Sequence, residues 1–172
     1  FAGSNTTISG NYIGTDANGA NAIPNYIGVQ IEGTHQATIG SGTAPNYIAA
    51  SLSDGILENS TANCLIDGNF IGLGVSGASL GMGNFNGVHV TSSGAVIGQT
   101  NNTIIANNSN YGVFVDGAAA TGVVIEKTII GTDITSSPGI GNGHVHGQGW
   151  PVCCHRHDFD LAQRRRADDC PC

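Results

Sequence analysis

Three stretches decide the fold: "TTISGNYIGTD" (residues 6–16), "NCLIDGNFIGLG" (63–74) and "GVVIEKTIIGTD" (122–133). Their shared Ile-Gly steps fall at 13–14, 71–72 and 130–131, so the pattern recurs at a nearly constant interval. A second signature divides that unit: "GVQIE" at 28, "GILEN" at 55, "GVHVT" at 87 and "GVFVD" at 112. Its successive intervals are shorter, then longer, then shorter again, and each adjacent pair adds up to nearly one full unit. The long unit therefore holds two turns of chain, one shorter than the other.

Within each turn the apolar segments are short and rich in Val and Ile, and Gly, Asn, Asp and Ser bound them. That is the signature of strands punctuated by turns. One such unit cannot bury its own apolar face, but stacking it on its neighbours does so. The reading is an all-β chain, a short parallel β-helix of about four coils, with rough coil boundaries at 28, 55, 87, 112 and 143. A β-sandwich is the alternative for regularly spaced strands, but the phased recurrence of the same tetrapeptides favours the solenoid.

Composition agrees. Only 10% of the 172 residues are charged and 27 are Gly, which suits many tight turns and little helix. No apolar run is long enough for a membrane span. Residues 1–142 hold eight acids and one base, Lys127, a net −7, whereas residues 143–172 hold four Arg and four Asp. So acidic a body argues against nucleic acid and against anionic membranes as partners. There is no P-loop and no G-x-S-x-G.

The stretch "NYIGTDANGANAIPNYIGVQI" (11–31) resembles the right-handed parallel β-helix repeats of large bacterial secreted and surface proteins, over about residues 5–142. The resemblance implies right-handed coils, an extracellular or cell-surface location and a face presented to a carbohydrate polymer. Such coils serve adhesins, lyases and hydrolases alike, so it carries fold more than function. The chain shows neither a pectate-lyase signature nor the G-G-x-G-x-D calcium repeat. Solenoid ends need caps, and open ends invite another chain, so homo-oligomerisation through uncapped coil ends or the tail is expected.

If the protein is an enzyme, it would be a polysaccharide-acting hydrolase or lyase that uses carboxylates on the coil face. Asp67 and Glu126 are one candidate pair. Aligning "CLID" with "VVIE" gives a ladder Ser9, Ala49, Asp67, Ala106, Glu126, with the acids two coils or about 9.6 Å apart. Inverting glycosidases hold their carboxyls about 6.5–9.5 Å apart. Asp54 and Glu58 are further catalytic candidates. Glu58 shares the inward parity of Ile31, Val90 and Val115, where a carboxylate is costly. Either its pKa rises or, the preferred reading, the strand bends there. Gln30, Leu57, His89 and Phe114 then form an outward strip suited to sugar contact. Asp16 and Asp133 share one slot but lie too far apart to act together, and each reads as a turn-bonding Asp. Cys64, aligned with Thr103, reads as a small buried residue.

At Gly143 the repeat stops, and the two halves divide as residues 1–142 and 143–172. The tail holds every Arg, four of the five Cys and the only Trp. His144, His146, Cys153, Cys154, His155 and His157, with Cys170 and Cys172, are capable ligands for Zn. Their spacings nevertheless match no established zinc pattern. Two disulfides are a second reading. A third, which the abrupt change in composition favours, is an irregular, part-helical end that does not belong to the fold.

Overall fold

The computed structural model describes residues 5–33, 36–60, 63–75, 82–132 and 140–143. Among them are fourteen strands and no helix. They are β1 (Thr6–Ile8), β2 (Tyr12–Ile13), β3 (Val29–Gly33), β4 (Ala37–Ile39), β5 (Tyr47–Ile48), β6 (Asp54–Ser60), β7 (Leu65–Ile66), β8 (Phe70–Ile71), β9 (Asn86–Val90), β10 (Val96–Ile97), β11 (Thr103–Ile105), β12 (Val113–Val115), β13 (Val124–Ile125) and β14 (Thr128–Ile130).

Each strand pairs in parallel with the strand three places away. The first sheet runs β1-β4-β7-β10-β13, the second β2-β5-β8-β11-β14 and the third β3-β6-β9-β12. The chain therefore visits three sheets in a fixed cyclic order, a parallel β solenoid-like arrangement. The alternation of turn lengths lies at the corner between the second and third sheets. The connections there span 14–28, 49–53, 72–85 and 106–112, alternately long and short.

The core consists of columns of like residues. Ile8, Ile39, Ile66, Ile97 and Ile125 are in register in the first sheet. Ile13, Ile48, Ile71, Ile105 and Ile130 form the column of the second. Val29, Ile56, Val88 and Val113 belong to the third. Most are fully buried, each worth about 1.5–3 kcal/mol relative to exposure.

The repeated Gly of the "GV" signature follows from how closely the turns stack. A Cβ on Gly55 would lie 2.6 Å from the Gly87 carbonyl oxygen, and one on Gly87 would lie 2.5 Å from that of Gly112. At Gly28, Gly55 and Gly87 any side chain collides with the backbone of the next turn, and at Gly112 with the Asn142 side chain.

Buried amides supply the polar counterpart of the isoleucine columns. The Oδ1 of Asn46 accepts from Asn11 N and Nδ2, both at 3.0 Å, while its Nδ2 donates to Asn69 Oδ1 at 2.9 Å. A second ladder runs through Asn84, Asn108 and Asn142. Asn84 Nδ2 donates to Asn108 Oδ1 at 3.0 Å, and Asn108 Nδ2 donates to Asn142 Oδ1 at 2.8 Å. Each Oδ1 also accepts the backbone N–H of the preceding rung. Each of these amides is thereby tied to the turn next to it.

Candidate functional site

The outer face of the third sheet carries the strip expected from the sequence: Gln30, Leu57, His89 and Phe114 are in register across β3, β6, β9 and β12. All four are half-buried, while their inward neighbours are sealed. The His89 and Phe114 rings lie 4.6 Å apart, and Phe114 stacks on Tyr111 at 4.7 Å. At the corner leading into this sheet, Tyr26, Leu52 and Phe85 are exposed apolar residues.

Asp54 opens β6 and is buried. Its Oδ1 lies 3.3 Å from His89 Nδ1 and accepts from Asn86 Nδ2 at 2.8 Å, and its Oδ2 accepts from Ser53 Oγ at 2.9 Å. Burial pushes its carboxyl pKa up, but the bonds from His89, Asn86 and Ser53 outweigh it and hold the carboxyl below its ordinary value. Asn86 Oδ1 in turn accepts from Asn110 Nδ2 at 3.0 Å. A polar chain thus runs beside the ring stack.

Glu58 corrects one expectation. The strand does not bend: β6 continues to Ser60, and Glu58 is in register with Ile31 and Val90 and fully buried. Ser92 Oγ donates to its Oε2 at 2.5 Å and Ser60 N to its Oε1 at 3.0 Å. Burial raises its pKa above the ordinary value despite these donors and a bond involving Cys64. Cys64 is buried, and burial likewise raises its thiol pKa. Its column partners are Ala37 and Ala95, since β7 starts one residue after it, and not Thr103, which lies in the second sheet.

Asp67 and Glu126 correct another. The residue between them in the ladder is Gly98, and the one before Asp67 is Gly40. Ala49 and Ala106 follow β5 and β11 in the second sheet. The two acids remain two strand spacings apart, about 9.6 Å. Asp67 is buried and bonded to the neighbouring turn. Its Oδ1 accepts from the N–H groups of Gln99 (2.9 Å), Thr100 (3.2 Å) and Asn101 (3.0 Å), and its Oδ2 from Asn101 Nδ2 at 2.7 Å. These bonds overcome burial and lower its pKa. Glu126 is half-buried at the last turn of the first sheet.

Asp16 accepts from Ala20 N (2.9 Å) and Asn21 Nδ2 (2.7 Å), as a turn-bonding Asp does. Asp133 lies outside the described residues, as do His144, His146, Cys153, Cys154, His155, His157, Cys170 and Cys172. No group of three or more His, Cys, Asp or Glu suited to a metal occurs among the described residues. No helix among them is long and apolar enough to cross a membrane. At the β1–β3 end of the stack, a cavity of about 440 Å³ opens onto Ile8, Ile13 and Val29.

No protein-family model, curated protein sequence or solved structure matches the chain significantly.

The sequence reading missed two features. It did not find the asparagine ladders, although Asn precedes Tyr-Ile or Phe-Ile at 11, 46 and 69. It also did not pair Asp54 with His89, because the two meet across turns and carry no repeat signature.

Proposed function

We propose that the outer face of the third sheet binds a neutral glycan polymer, as part of a secreted or cell-surface bacterial protein. In this reading the fold is a short right-handed parallel β-helix of about four coils. The observation that carries it is the outward stack of His89, Phe114 and Tyr111, bordered by the Asp54–Asn86–Asn110 chain. Flat apolar rings beside a few fixed polar groups suit sugar rings, which offer one apolar face and a rim of hydroxyls. Lys127 is the sole Lys or Arg in residues 1–142, so a polyanionic chain finds little attraction there. Self-association through the open end beside Ile8 and Ile13 belongs to the same reading.

The test is affinity for a panel of neutral and anionic oligosaccharides, measured for the natural chain and for Phe114→Ala. Binding of neutral members with a Kd of about 1 mM or tighter, weakened roughly tenfold or more in the variant, supports the reading. Absence of binding across the panel, or binding that Phe114→Ala leaves unchanged, rejects it.

A further inference from the structure

His89 combines a fixed and an unused nitrogen. Its Nδ1 faces the Asp54 carboxylate at 3.3 Å. Its Nε2 is out of contact with solvent and has no hydrogen-bond partner among the described residues. An ionised carboxylate accepts but cannot donate, so the neutral ring carries its proton on Nδ1 and its lone pair on Nε2. Asp54 cannot swing away, because Asn86 and Ser53 hold it from two other directions. The molecule thus presents an oriented acceptor that nothing among the described residues satisfies, and a buried acceptor without a donor carries a desolvation penalty until something supplies one.

From these observations we infer that His89 Nε2 is the acceptor for a ligand hydroxyl, with Asp54 as the residue that positions it and Phe114 as the ring that covers it until the ligand binds. The inference rests on the glycan reading and assigns its polar contact. Phe114 covers the imidazole from β12, the edge strand of its sheet, and no further strand lies beyond it among the described residues. Admitting a hydroxyl to Nε2 requires the Phe114 ring to turn off the imidazole and away from Tyr111, on which it stacks. Leu57 on the other side of His89 and Gln30 beyond it continue the strip. Polar and apolar side chains alternate along it at one strand spacing, about 4.8 Å. A neutral, extended chain of hydroxyl-bearing rings lying along the stack would meet an apolar platform and a polar contact in turn.

The experiment uses the full chain labelled with ¹⁵N. Long-range ¹⁵N–¹H correlation of the His89 ring reads the tautomer directly, and the expected result is an unprotonated Nε2 and a protonated Nδ1. Adding cellohexaose should move the Nε2 resonance. His89→Phe keeps a ring against Phe114 but has no acceptor, and should weaken cellohexaose binding at least tenfold. Asp54→Asn should leave the imidazole populating both tautomers. An Nε2 already protonated in the free protein overturns the inference. So does an Nε2 unmoved by cellohexaose while backbone amides of β9 and β12 shift, an outcome that leaves the glycan face standing. If cellohexaose moves no resonance on this face and no panel member binds, both readings fall.

Discussion

The carboxyl of Glu58 lies in register with the side chain of Val90, sealed inside the stack. A charge there is expensive, and burial raises the pKa of this group above its ordinary 4.5. A raised folded-state pKa means that the folded protein holds the proton more tightly than the unfolded chain. The stability this contributes is full below 4.5 and is lost as pH rises through the folded-state value. Glu58→Gln keeps a partner for Ser60 N and Ser92 Oγ but has no charge to bury. Urea unfolding of both proteins across this range should show the variant gaining stability relative to the natural chain as pH rises. A difference that does not change with pH would contradict the assignment.

The asparagine ladder should be costly to interrupt. Asn108 accepts from Asn84 N and Nδ2 and donates to Asn142 Oδ1, so Asn108→Ala strips partners from two buried neighbours at once. Unsatisfied buried groups cost about 1–3 kcal/mol each. A loss of roughly 2–4 kcal/mol in equilibrium urea unfolding is expected on that scale. A loss under about 0.5 kcal/mol, the scale of an ordinary surface substitution, would mean that the ladder does not hold the corner together.

Asp67 and Glu126 should separate by phenotype. Asp67 binds the 99–101 backbone, so Asp67→Ala should destabilise by about 1.5–3 kcal/mol, the range for hydrogen bonds to a charged group. Its pKa is lowered, so its contribution is present at neutral pH and is lost as pH falls below the ordinary 3.8 and through the folded-state value. Glu126→Ala should leave stability within about 0.5 kcal/mol. The same two variants test the hydrolase alternative. If the natural chain cleaves a polysaccharide and both variants lose that activity while folded, the pair is catalytic; unchanged turnover removes it.

The repeat was legible because its strands are built from recurring tetrapeptides. "GVQIE", "GILEN", "GVHVT" and "GVFVD" share one register in the third sheet, and the outward strip followed directly from their parity. The ladder through Asp67 was misaligned for a physical reason. Connections between the first and second sheets span 9–11, 40–46, 67–69, 98–102 and 126–127, so their length is uneven and counting back from the Ile-Gly step slips from turn to turn. "TIIA" resembles "CLID" and "VVIE" but belongs to the second sheet, so the rung between the two acids is Gly98 and not Ala106. Glu58 was expected to bend its strand because its principal donor, Ser92, lies in the next turn, where no local pattern announces it. The Asp54–His89 contact was hidden similarly: its residues are far apart in the chain and meet only once the turns are stacked.

The central claim is that the outer face of the third sheet receives a neutral glycan, and amide chemical-shift mapping during titration with a neutral oligosaccharide from the panel tests it most directly. The account predicts saturable shifts concentrated at Gln30, Leu57, His89, Tyr111 and Phe114, with the first sheet silent. Saturable shifts centred on another surface, or none up to solubility, would contradict it.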